Sequence, residues 1–185
     1  IRMWKIIGGM AAGLTALTLG GALWAQHNAG GSHGGHGTIP TEPGDAGFAA
    51  ITEIVEILRE DPATDWSRVD IDGLREHLVD MHTLVEGAVV VASATEQGLL
   101  MRVSTTGRAG EAASRMVPAH GPVMAGETGW RSSVTLEGEE ILWHVEDPTG
   151  AEVAQIQALG FFGLMATGDH HRPHHMALAR GVPLH

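Results

Sequence analysis

The chain has 185 residues and contains no cysteine and no tyrosine. Without cysteine there are no disulfides, thiolate zinc sites, iron–sulfur clusters or cysteine nucleophiles, and no covalent attachment of a c-type haem. Basic residues are also few: Lys5 is the only lysine, and the formal net charge is −11. Phosphate neutralisation needs a basic face, so this balance argues against nucleic acid as a partner and favours cations or a basic protein.

Sequence patterns of common catalytic sites are missing as well. There is no nucleophile elbow of the Gly-x-Ser-x-Gly type, no glycine-rich phosphate-binding loop and no His-Glu-x-x-His zinc motif. The sequence therefore predicts no catalytic residue, and a protein without enzymatic activity is favoured. A hydrolytic or redox metal centre remains as an alternative, because a site of several histidines carries chemistry when one coordination position is open.

The N-terminal segment reads as a membrane anchor over residues 1–25. An uncharged run, Ile6–Ala25, follows Arg2 and Lys5 and lies between Trp4 and Trp24. Twenty helical residues span about 30 Å, the thickness of a bilayer core, and the positive end favours a cytoplasmic N-terminus. We therefore expect a bacterial-type inner-membrane protein whose remaining chain is periplasmic or extracytoplasmic. A cleaved signal peptide is the competing interpretation.

Small residues recur on one side of this expected helix, at Gly9, Gly13 and Gly20. Such a stripe lets a second transmembrane helix approach closely, which predicts a partner helix in addition to the lipid bilayer. The alternative is that glycine is simply abundant, with 26 in the chain.

The segment 26–44 is rich in glycine, histidine and proline and is predicted to be a flexible linker. Its three histidines either help to capture a metal ion or are solvated spacer residues.

Residues 45–168 are predicted to form an extracytoplasmic α+β domain. Apolar residues recur with helical spacing in three segments, a fourth segment is expected to be a helix despite two prolines, and two pairs of β-branched or alternating segments surround short turns. Two hairpins joined side by side give a four-stranded antiparallel sheet covered by helices on one face. Similar short motifs before and within each hairpin indicate a possible helix-hairpin duplication. The expected helices are 45–60, 71–86, 109–125 and 151–167, and the expected strands are 88–94, 99–104, 130–136 and 141–145.

The strongest chemical signal is the histidine-rich C-terminal segment, residues 169–185. Four imidazoles follow an aspartate within seven residues: Asp169, His170, His171, His174 and His175. In a helix, residues four apart share a face, so the first and third histidines pair, as do the second and fourth. Imidazoles one turn apart commonly bind a transition metal, and we take these five residues as the candidate ligands.

A second, weaker set of candidates lies in the expected helices. His120 shares a helical stripe with Met116 and Met124, and thioether with imidazole is a donor set that suits copper. His82 occupies the corresponding position before the first hairpin. The alternative interpretation is a methionine-rich core stripe with a hydrogen-bonded histidine. His77 is expected on a solvated helix face.

These observations predict a membrane-anchored periplasmic metal-binding protein that handles or delivers copper, with zinc as the close alternative. A different class fits the same anchor: an accessory subunit of a larger membrane complex, docked through its transmembrane helix and without activity of its own.

Overall fold

The computed structural model describes residues 45–182, which belong to one compact unit, Thr41–His185. The elements in this range are α1 (Ala46–Glu60), α2 (Ile71–Gly87), β1 (Val90–Ala94), β2 (Gly98–Ser104), α3 (Gly107–Thr128), β3 (Arg131–Glu137), β4 (Glu140–Glu146), α4 (Val153–Met165) and α5 (His171–Ala179). The expected anchor, linker and glycine stripe lie outside the described residues. Within 45–182, no helix combines the length and apolar character that a membrane crossing requires.

The strands form one antiparallel sheet in the order β1-β2-β4-β3, so the predicted four-stranded sheet with helices is confirmed. Side chains alternate along β2: Leu99, Met101 and Val103 are buried, whereas Arg102 points to the opposite face and is exposed. Helices α3 and α4 pack on the buried face. The alternation of apolar and polar residues that predicted the strands therefore also determines which face of the sheet packs against the core.

The two hairpins have the same register. Val90 pairs with Val103 in the first hairpin, and Ser132 pairs with Val145 in the second. Each residue of the second pair lies 42 positions after the equivalent residue of the first pair. Each hairpin is followed by a helix that packs on the sheet, α3 after the first and α4 after the second. Helix α2 instead packs against α1, α3 and α5. The shared register relates the two hairpins to each other, and the expected helix-hairpin duplication stays a prediction.

Helix α3 approaches the sheet closely at Gly121. A Cβ atom there would lie 2.7 Å from Ser132 Oγ, so only glycine permits this distance between helix and sheet. The neighbouring His120 is consequently buried, with 6% of its surface exposed, and its ring meets Trp143 edge-on. Two prolines lie inside this helix, at 118 and 122, yet it runs from Gly107 to Thr128 and so extends further at both ends than predicted.

A second, smaller core joins α1, α2 and α5. Its buried members are Ile54, Leu58, Leu74 and Ala179. The Ala179 carbonyl also accepts a hydrogen bond from the Asp70 backbone N–H at 2.9 Å. The histidine-rich segment is therefore packed into the domain, and its first turn lies where α2, α3 and the end of α4 come together.

Candidate metal centre

His120 is fixed in one tautomer by the end of α4. Its Nε2 lies 2.8 Å from the Leu164 carbonyl oxygen. The imidazole N–H donates to this oxygen, which also accepts from the Thr167 backbone N–H at 3.1 Å. Burial lowers the pKa of His120 to about 4, so the ring is neutral near pH 7. With Nε2 donating to Leu164, the free lone pair of His120 is on Nδ1.

His170 is oriented in the same manner by a carboxylate. Its Nδ1 lies 2.8 Å from Glu127 Oε2, and an ionised carboxylate only accepts, so Nδ1 donates. The remaining nitrogen, His170 Nε2, lies 2.9 Å from His120 Nδ1. Both nitrogens would present lone pairs to each other at that distance if both rings were neutral. A positive species between them, either a proton or a metal ion, removes the repulsion.

His171 brings a third nitrogen to the same place. A hydrogen bond with the Met165 backbone orients its ring, and its Nε2 is buried with no hydrogen-bond partner among residues 45–182. Burial, followed by the neighbouring His170, lowers the pKa of His171, which favours the neutral form that binds metals. One nitrogen each from His120, His170 and His171 lies within 4.8 Å of the other two. We call these three residues the triad.

The triad has the donor set and outer partners of a metal site, and it can hold a metal ion. Metal–imidazole distances of about 2.0–2.1 Å place nitrogens on a tetrahedral ion roughly 3.3 Å apart. His120 Nδ1 and His170 Nε2 are already near that spacing, and the His171 nitrogen lies within 4.8 Å of both. Metal-bound histidines usually donate their other N–H to a carboxylate or a backbone carbonyl. Glu127 and Leu164 occupy those positions here.

A cavity of about 410 Å³ opens beside the triad. Besides the triad, its lining comprises two methionines, other apolar residues and two further histidines: Met116, Met165, Ala119, Val123, Pro173, His77 and His174. Three imidazoles bound to one ion would leave a coordination position open on the side of this cavity. That position suits an incoming ligand or a thioether from the wall.

The C-terminal candidates divide into two groups. His170 and His171 join His120, whereas His174 and His175 lie one helical turn further on, with their ring centroids 4.6 and 5.3 Å from that of His77. Asp169 was expected as a ligand. It lies outside the triad, its carboxylate accepts from Arg172 at 2.7 Å, and no side chain caps the helix.

The weaker candidates divide as well. Met116 lines the cavity beside His120, but Met124 is fully buried in the main core. His82 is exposed and lies 3.3 Å from Glu86, away from the triad. The stripe expected on α3 therefore has one end at the cavity and the other in the core.

Sequence reasoning missed Glu127 and misplaced His77. His77 is only partly exposed and lines the cavity, so the expectation of a solvated position was wrong. A signal for Glu127 existed, since it lies seven residues after His120 and therefore on the same helical face. No local pattern could show that His120 and Glu127 would both contact His170, which lies 50 and 43 positions further along the chain.

No protein-family model, curated protein or solved structure matches this chain. The chemistry of the site therefore carries the functional argument alone.

Proposed function

We propose that this protein binds a transition-metal ion through the triad and handles copper outside the cytoplasm, tethered to a membrane by its first 25 residues. The observation that carries the metal site is the 2.9 Å approach of His120 Nδ1 to His170 Nε2. Each ring has its other nitrogen committed, one to Leu164 and one to Glu127. That arrangement aims two lone pairs at one point, as a metal site requires.

The surroundings of the triad support copper over zinc. Met116 and Met165 line the cavity that the open coordination position faces. Thioether sulfur with imidazole is a soft donor set, which favours Cu(I), whereas zinc in proteins takes imidazole, thiolate or carboxylate. The chain has no cysteine to provide thiolate. A position open to the cavity also allows the ion to pass to an incoming donor, which supports handling or delivery.

The test is metal content of the untagged full-length chain in detergent. The protein is equilibrated with Cu(I) under reducing conditions, or with Cu(II) or Zn(II), desalted and analysed by mass spectrometry. His120→Ala and His170→Ala should each lower affinity for the triad ion at least tenfold. His82→Ala and His144→Ala are matched controls, since these histidines lie on the far end of α2 and on β4.

The control variants should bind as the unaltered protein does. If His120→Ala keeps full affinity for every ion, the triad is not a metal site and the proposal fails. If the protein retains zinc in preference to Cu(I), the triad is a metal site but its ion is zinc rather than copper.

A further inference from the structure

A second group of histidines lies beside the triad, and two of its members, His77 and His174, line the same cavity. His77 comes from α2, and His174 and His175 come from the second turn of α5. We propose that His77, His174 and His175 form a second metal site beside the triad, so that the domain holds two transition-metal ions. This inference goes beyond the single triad ion of the proposed function.

The ring spacing of the second group fits a shared ion. Three imidazoles on one tetrahedral ion have centroids roughly 5.2 Å apart, given metal–nitrogen distances of about 2.0–2.1 Å. The centroids of His77, His174 and His175 are 4.6, 5.3 and 6.2 Å apart. Those of the triad are 4.8, 5.4 and 4.5 Å apart. Five of these six distances lie within about 0.7 Å of the value for a shared ion, and the distance between His174 and His175 is about 1 Å longer.

The nitrogens of the second group need a further adjustment. Among residues 45–182, the triad is the group of three whose candidate ligand atoms lie within 4.8 Å of one another. The rings of the second group meet at steep angles, 63° for His77 with His174 and 64° for His77 with His175. To share an ion, the rings would have to rotate about their Cβ–Cγ bonds, and His174 and His175, with centroids 6.2 Å apart, would have to move closer together.

His175 supplies the independent sign of a ligand. Its Nε2 is buried and has no hydrogen-bond partner among residues 45–182. A buried polar nitrogen without a partner is costly, and native structures rarely leave one. His171 Nε2 is in the same condition, and the triad ion accounts for it. The triad does not reach His175, so a second ion is the matching explanation.

Helix geometry relates the two sites. His170 and His171 belong to the triad, and His174 and His175 occupy the equivalent positions one helical turn later. Four residues at 1.5 Å each place the two ions about 6 Å apart. Both sites are built from imidazole alone, so the second also takes a borderline transition-metal ion such as Cu(II) or Zn(II) rather than calcium or magnesium. The first ion connects α5 to α3, and the second connects α5 to α2.

The experiment counts ions on the full-length chain in detergent. Cu(II) is titrated in the presence of glycine as a weak competitor, and bound copper is measured by mass spectrometry and by electron paramagnetic resonance. The unaltered protein should bind two ions, whose spectrum is broadened by coupling over about 6 Å. His77→Gln and His175→Gln should each retain one ion with an uncoupled spectrum. Circular dichroism verifies that each variant is folded, and His144→Gln is the control.

The outcomes separate this inference from the proposed function. One ion in the unaltered protein, lost in His120→Gln and kept in His77→Gln and His175→Gln, would overturn the second site and leave the triad intact. A second ion that persists in both variants would also overturn it. Both sites would be established if the unaltered protein binds two ions, His120→Gln loses only the triad ion, and His77→Gln loses only the second ion.

Discussion

Glu127 offers the sharpest test of how the triad is held. Its carboxylate accepts from His170 Nδ1 at 2.8 Å and from the Asp169 backbone N–H at 3.2 Å. In Glu127→Gln the side-chain oxygen can still accept from the imidazole, but the charge that increases the donor strength of His170 is gone. Glu127→Ala removes the acceptor altogether. We expect metal affinity to fall in that order, from the unaltered protein to Gln to Ala.

The size of the effect follows from the exposure of the pair. A hydrogen bond to a charged group contributes about 1.5–3 kcal/mol when well shielded. The Glu127 side chain is 36% exposed and that of His170 18%, so screening by solvent places the loss towards the lower end of that range. Loss of an outer partner of a metal-bound histidine typically lowers affinity 10- to 100-fold. We expect about tenfold for Gln and up to about 100-fold for Ala.

The assay is competition of the full-length chain against a chromophoric Cu(I) chelator at pH 7.5. Glu86→Gln is the matched control, because Glu86 also lies beside a histidine, His82, but on the exposed face of α2. It should leave affinity unchanged. If Glu127→Gln and Glu127→Ala both bind copper as the unaltered protein does while His170→Ala does not, the carboxylate has no part in orienting the ligand and the tautomer argument fails.

Two further predictions concern the metal-free domain and the turn before α5. Because burial lowers the pKa of His120 to about 4, the unfolded chain takes up a proton more readily, and stability present above pH 6.5 is lost as pH falls. Thermal unfolding with a chelator should show a loss of about 3 kcal/mol by pH 4 that is reduced in His120→Gln, and an equal loss in that variant would contradict the argument. Gly168 has φ of +106°, and a Cβ there would clash with Glu127 Oε2 and His170 Nδ1. Gly168→Ala should therefore lower copper affinity in the same competition assay, whereas Gly138→Ala, at an open turn with φ of +61°, should leave it unchanged.

Local patterns were sufficient to predict most of the fold. The helix predicted over 71–86 is observed as Ile71–Gly87, where Asp70 caps the first turn by accepting from the Gly73 N–H at 2.8 Å. Both hairpins follow from alternation around short turns. Capping, periodicity and alternation are interactions within a few residues, so sequence displays them directly. What the sequence could not show is that α2 packs mainly against three other helices, α1, α3 and α5.

The candidate site was harder because it is assembled from distant parts of the chain. The histidine-rich segment stood out by composition alone, and helical spacing paired its members along α5. The structure pairs them across elements instead: the first turn with His120 of α3, and the second with His77 of α2. Those partners depend on how three helices pack around one cavity. The packing is determined mainly by apolar residues such as Leu74 and Ala179, and nothing in their sequence pattern indicates a metal site.

The same two nitrogens suggest how the metal-free domain keeps its site assembled. His120 Nδ1 and His170 Nε2 remain 2.9 Å apart, and a proton shared between them removes the repulsion of facing lone pairs. Glu127 accepts from His170 Nδ1, and the Leu164 carbonyl accepts from His120 Nε2, without any ion present. An ion bound by the triad would therefore find these outer hydrogen bonds already made. Binding would then require little reorganisation of the two rings, which is what the proposed handling of copper would need.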